Sequence, residues 1–171
     1  MRPLVRFILA MLVTVTVALL LGITYERELT SLEAENVMTI LRLSGVEGWR
    51  MGNNIVAKVR GRWVPFTVTL ECSGLLSLAV YLALVVGMPK MGLRARLFNA
   101  LFGISLLYLA NMLRIYGAII GYYVAGTQGL NIVHYVLGPL ALYTLILVLW
   151  ASTLRGAMKS ASAGLPRERS Q

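Results

Sequence analysis

The chain has 171 residues, 58% of them hydrophobic and 13% charged, with a net charge of +9 and a mean hydropathy of +0.75. Soluble domains run nearer half apolar and a quarter charged, so the composition points to an integral membrane protein, with a single membrane domain expected over 1–171. One Cys and one His exclude zinc fingers, CxxC redox pairs and disulfide frameworks. No metal or organic cofactor is implied. The basic residues flank apolar runs instead of gathering on a soluble face, which argues against a nucleic-acid partner.

The first apolar run, 4–24, follows Arg2 and Arg6. It is longer than a signal-peptide core, and Leu21-Gly22-Ile23-Thr24 holds no small-x-small cleavage site, so a retained transmembrane helix is expected. Segment 25–69 is polar enough to lie outside the membrane. Within it Leu29, Leu32, Val37, Ile40 and Leu41 keep a helical period, with Glu26, Glu28, Glu33 and Glu35 on other faces. Thr30 and Glu33 have the spacing of a capping box, and Gly45 and Gly48 end the amphipathic helix. The period then shortens. Asn53-Asn54 reads as a turn, and 55–59 and 63–70 read as a β-hairpin around Arg60-Gly61-Arg62, with Pro65 either weakening the second strand or placing it at an edge. Three further transmembrane helices are expected, over 70–88, 97–124 and 132–154. Pro89 stops the first of these, Lys90, Arg94 and Arg96 follow in a tight loop, and Gly126-Thr127-Gln128-Gly129 turns the chain between the last two. The basic tail, 156–171, is expected to be disordered.

The fold class is therefore an all-α integral membrane protein of about four transmembrane helices, with an extracytoplasmic amphipathic helix and short β-hairpin between helices 1 and 2. In this arrangement one side carries nine basic residues and one acid, Glu168, and the other six of each sign. The positive-inside rule puts both termini in the cytoplasm. Tyr25, Tyr122, Tyr123 and Tyr135 fall near the outer boundary and Trp150 near the inner one, as an aromatic belt does.

The topology also fixes depth. Cys72 opens helix 2 and His134 opens helix 4, both at the outer rim. Arg114 is roughly 26 Å along helix 3, close to the far side of a core about 30 Å thick. Three residues remote in sequence thus meet at one depth. A thiol at a helix N-terminus favours the thiolate, a lone His suits proton transfer, and an intramembrane Arg needs a partner. Glu71, adjoining Cys72, is the first choice of counter-ion, and Asn111, one turn from Arg114, can add a hydrogen bond. Pro139 cannot donate to the Tyr135 carbonyl, so a kink is expected just below His134. Gly117 and Gly121 form a GxxxG pair that suits close helix packing. Other readings stay open: an inert cysteine, a snorkelling arginine and an interfacial histidine would make this a non-enzymatic assembly subunit, or an anionic-lipid-binding or transport protein.

Glu71-Cys72-Ser73-Gly74-Leu75, Asn111-Met112-Leu113-Arg114-Ile115 and His134-Tyr135-Val136-Leu137-Gly138 resemble, in this order, the signature blocks of the exosortase/archaeosortase family of membrane cysteine transpeptidases. The resemblance implies a short, four-helix member with Cys72, Arg114 and His134 as catalytic residues, beside which Glu71 and Asn111 keep the supporting roles read from the topology. It implies as partners secreted or surface proteins with a tripartite C-terminal tail: a motif, a transmembrane helix and a basic cluster. Membrane lipid is a further implied partner, and the implied site is extracytoplasmic, in the cell membrane. Leu76 stands where many members carry a basic residue.

Overall fold

The computed structural model describes residues 3–88 and 91–163. Arg2, Pro89, Lys90, Arg167, Glu168 and Arg169, which enter the topology reading, lie outside them. Helix α1 (Pro3–Thr24) runs through Tyr25 into α2 (Glu26–Leu43). A three-stranded antiparallel sheet follows: β1 (Gly48–Met51), β2 (Asn54–Val59) and β3 (Arg62–Thr67), in the order β1-β2-β3. A 3-10 turn (Leu70–Cys72) leads to α3 (Leu75–Gly87). The long α4 (Leu93–Asn131) then passes through a π-helical turn (Ile132–Leu137) into α5 (Gly138–Ala163).

Several boundaries differ from expectation, each for a local reason. Helix α2 begins at Glu26, not at Thr30, with Glu26 and Glu28 in its first turn, where carboxylates complement the helix dipole. Thr30 and Glu33 form no capping box: they lie mid-helix, and the Thr30 hydroxyl donates to the Glu26 carbonyl at 2.7 Å. Gly45, at φ 79°, closes α2. Its N–H donates to Arg42 O and that of Val46 to Leu41 O, the bonding of a Schellman end. Gly48 belongs to β1, a strand too short and too glycine-bearing to read from sequence. The sheet therefore has three strands rather than two, and the first turn is Gly52-Asn53, with Asn54 already in β2. Helix α5 continues to Ala163, past the expected end at 154.

Two helical stretches are long and apolar enough to cross a membrane: Leu4–Thr24, and Leu93–Gly156, which spans 64 residues. The second reverses at Gly126 (φ 65°, ψ −148°), where the backbone leaves the helical region. Its two limbs return antiparallel: Gly121 packs on Gly129, and the Thr153 hydroxyl donates to Asn99 Oδ1 at 3.1 Å. Gly117 approaches Val133, so the GxxxG pair serves this contact between limbs. Helix α3 is apolar but has only 13 residues, about 20 Å. It starts five residues later than expected, because Gly74 takes a left-handed conformation that ends the 3-10 turn.

Two cores result. The apolar bundle joins Tyr81 and Val85 of α3, Leu107 of α4 and Leu142, Ile146 and Leu149 of α5. Lipid offers no hydrophobic drive for such packing, so close fit must supply it; a Cβ at Gly103 would lie 2.1 Å from the Tyr81 ring, so only glycine admits it. The second core seats α2 and the sheet on α4, on the Gly126 side of its middle, through Val37, Met38 and Leu41, Ile55, and Met112 and Ile119. Asn36 Nδ2 donates to the Tyr108 hydroxyl at 2.7 Å, and Arg60 Nε donates to the Tyr123 carbonyl at 3.0 Å. Arg60 thereby satisfies a carbonyl freed just before the Gly126 reversal.

Candidate active site

Cys72 lies ahead of α3, at the end of the 3-10 turn. Its N–H donates to Thr69 O at 2.9 Å, and the Ser73 N–H to Leu70 O at 3.1 Å. These bonds hold the thiol where two side chains reach it: Thr69 Oγ1 at 3.3 Å and His134 Nε2 at 3.1 Å. Cys72 is not the first residue of α3 as expected: Ser73 and the cap, Gly74, separate it from the helix. Burial by itself pushes the half-buried thiol up. The His134 hydrogen bond, the two bonds from Thr69 and the charge of His134 outweigh it, and the thiol settles at about 7.

Gly74 has a second duty. At φ +64° it favours glycine, and a Cβ there would fall 2.7 Å from Asn111 Cγ. That space lets Asn111, 2% exposed, donate from Nδ2 to the Cys72 carbonyl at 3.0 Å while its Oδ1 accepts from Arg114 Nη1 at 3.3 Å. Arg114 Nη2 lies 3.3 Å from His134 Nε2. Gly138 makes room for this arginine, since a Cβ there would sit 2.4 Å from Arg114 Cγ. His134 itself rides on the π-helical turn. The expected disturbance at Pro139 takes that form: the widened turn re-routes backbone bonds where Pro139 has no N–H to give.

The sequence-derived residues thus divide. Cys72, Arg114, His134 and Asn111 come together in one hydrogen-bonded cluster. Glu71 does not join it: the side chain is exposed and makes no ion pair among the described residues. The carboxyl within electrostatic reach of both Cys72 and Arg114 is Glu33 of α2, 4% exposed, with Oε2 buried and unpartnered. Sequence reading put Glu33 on a polar face. Its spacing to Thr30, Ala34, Val37 and Leu41, all buried, was the available signal for the correct stripe.

Burial, and then the neighbouring thiolate, push Glu33 up to about 8 against a smaller lowering by Arg114. It is neutral when Cys72 ionises, so it does not oppose the thiolate. Between pH 4.5 and 8 the folded protein keeps a proton at Glu33 that the unfolded chain releases. Stability therefore falls as pH rises through that window, by at most about 1.4 kcal/mol per unit. Glu33→Gln keeps the neutral shape and removes the titration. Its melting temperature in detergent is expected to lose the slope and to exceed that of the wild type by several degrees at about pH 9. An equal decline in both proteins would refute the assignment.

Two clefts meet at the cluster. One, of about 580 Å³, opens among the apolar helices, between Leu19 of α1, Leu75 and Leu76 of α3 and Pro139 and Tyr143 of α5, with Arg114 and His134 at its head. The other, of about 370 Å³, lies between β3 and α4 and reaches Cys72 and His134. Among the described residues no group of His, Cys, Asp and Glu is arranged to hold a metal ion.

A family profile described as transmembrane exosortase (Exosortase_EpsH) matches residues 1–151. The chain belongs to the transmembrane exosortase family. No curated protein and no solved structure matches it. Within this exosortase-family chain the three sequence blocks that carried the resemblance are the segments that supply the cluster: the 3-10 turn, the middle of α4 and the π-helical turn.

Proposed function

We propose that the chain is a membrane cysteine peptidase–transpeptidase that cleaves C-terminal sorting tails of secreted proteins through a Cys72 thioester, at the extracytoplasmic face of the cell membrane. The observation that carries this reading is the meeting of Cys72 Sγ, His134 Nε2 and the Arg114 guanidinium within 3.3 Å steps. Exosortase-family membership supports it, and the charge asymmetry of the flanking segments supports the side.

Arg114 can only donate, so the His134 Nε2 that it faces carries the lone pair and Nδ1 the proton. That tautomer can accept the Cys72 proton. The thiolate then attacks the scissile carbonyl, and negative charge gathers on its oxygen. Nearby backbone donors are already used, the Cys72 N–H on Thr69 O and the Ser73 N–H on Leu70 O. The guanidinium is left as the donor beside the sulfur, and protonation of Nε2 turns it away from His134 and toward the oxyanion. Collapse breaks the C–N bond, the amine leaves with the His134 proton, and water or an amine then attacks the thioester and regenerates the thiol.

The test is co-expression with a secreted protein, encoded beside this chain, that ends in a motif, a transmembrane helix and a basic cluster. The tail is expected to be released, and the mass of the new C-terminus will separate hydrolysis from transfer. An intact tail alongside membrane-inserted wild-type enzyme overturns the reading.

A further inference from the structure

Resting on that reading, we propose that the free edge of β3 binds the segment on the acyl side of the scissile bond, as an added strand of extended peptide. Arg60 and Gly61, at φ 49° and 80°, form a two-residue turn of the type that closes hairpins, and Val59 pairs with Arg62 across it. In an antiparallel ladder the hydrogen-bonded pairs alternate. Arg62, Val64 and Phe66 therefore direct their N–H and C=O groups to β2, while Trp63, Pro65 and Thr67 direct theirs outward. The parity holds beyond the strand, where the Val68 N–H donates to Asn53 O at 2.9 Å. Pro65 occupies an outward position, where its missing N–H costs the ladder nothing. Beyond β3 no strand pairs among the described residues.

Open edges are usually blunted by charge or cover. The end of β3 nearest the thiol carries no charge: Pro65, Phe66, Thr67, Val68 and Thr69 are all neutral, and the strand's arginine sits at its far end. Those same five residues line the 370 Å³ cleft that reaches Cys72 and His134, with Ile115, Ala118 and Ile119 of α4 across it. At about 3.3 Å per residue they present an edge about 13 Å long, room for four residues of extended chain. Only a backbone in strand conformation offers donors and acceptors at that spacing; the β3 and α4 walls are neutral, and the carboxylate in the lining is Glu71, beside Cys72.

The two clefts also divide a substrate correctly. In the acyl-enzyme the segment before the scissile bond stays while the tail helix leaves. The cleft under the sheet lies between β3 and α4, and the apolar cleft among α1, α3 and α5 lies on the side of the bundle. The acyl segment therefore belongs on β3 and the departing helix beside the bundle.

The experiment uses the full chain in membranes with the tail-bearing substrate. Thr67→Pro removes an outward N–H without breaking a backbone bond to β2, and Thr67→Val, which gives up only the side-chain bond to Asn54 Oδ1, is its control; the proline is expected to slow tail release at least tenfold relative to the valine at equal expression, and release at the valine rate overturns the proposal. Independently, a photo-crosslinking benzoylphenylalanine in place of Thr67, in a Cys72→Ala background, is expected to capture the substrate's motif, while the same group in place of Met51, at the opposite edge of the sheet, is not. No capture at position 67, equal capture at both positions, or capture of a second copy of this chain overturns it. Because this readout needs no cleavage, it decides the docking even where the wild type releases no tail and the enzymatic reading itself falls.

Discussion

Cys72→Ala is expected to abolish tail release, and His134→Ala to slow it by about 10²–10⁴-fold, the usual range for a positioned acid–base group. Cys72 is the chain's only cysteine, so no neighbouring thiol can substitute. The two residues act as a unit through a 3.1 Å contact, so the double variant should be no slower than Cys72→Ala alone. A second readout requires no substrate. His134 supplies two of the influences that lower the Cys72 thiol to about 7, and Thr69 the others. The thiolate fraction, followed as the rate of iodoacetamide alkylation against pH, should have its midpoint near that value in the wild type. In His134→Ala the midpoint should move upward, because burial remains and its main opponent is gone. An alkylation midpoint that stays put in His134→Ala would remove histidine from the nucleophile's activation. Tail release by Cys72→Ala at the wild-type rate would remove the thiol from the chemistry.

Much of this site is legible in the sequence because membrane topology is a ruler. Once the apolar runs are laid across a bilayer, the depths of Cys72, Arg114 and His134 follow from the rise per residue, and the structure brings the three into contact. What resisted reading was everything set by local twist. Glu71 is next to Cys72 in the chain, but a 3-10 turn sends adjacent side chains apart, and the glutamate is exposed on the rim of both clefts without pairing with Arg114. Glu33 is 39 positions from Cys72 and lies within its electrostatic reach. A phase error of about one residue on α2 is enough to exchange a buried carboxylate for an exposed one, since each residue advances the helix by about 100°. The same error placed Leu32 inward, whereas it is largely exposed. Strand β1 was missed because four residues opening with glycine carry almost no period, and its pairing with β2 is what completes the sheet. The π-helical turn could be located from Pro139 but not typed, because proline dictates the lost bond and not the route by which the backbone recovers it.

The second large effect is expected from Arg114→Lys, which keeps the positive charge and removes the fork. The guanidinium reaches Asn111 Oδ1 through Nη1 and His134 Nε2 through Nη2, each at 3.3 Å. An ammonium is a single point of charge and cannot hold both partners at the angle a planar group allows. If Arg114 stabilises the oxyanion, the loss should be about 10²–10³-fold in kcat, with little change in KM, because the interaction forms only as charge develops. Asn111→Ala should fall between this variant and the wild type: it frees Nη1 of its acceptor and leaves the Cys72 carbonyl without its side-chain donor. The split between kcat and KM matters because the same arginine has a non-catalytic use. A guanidinium at the head of an apolar cleft is also suited to an anionic lipid headgroup. That role would tolerate lysine, would change lipid retention rather than kcat, and would leave Cys72→Ala fully active. A kcat loss for Arg114→Lys, together with the silence of Cys72→Ala, selects the transferase. Retained turnover in both variants, with lipid lost only on Arg114→Ala, selects the lipid site.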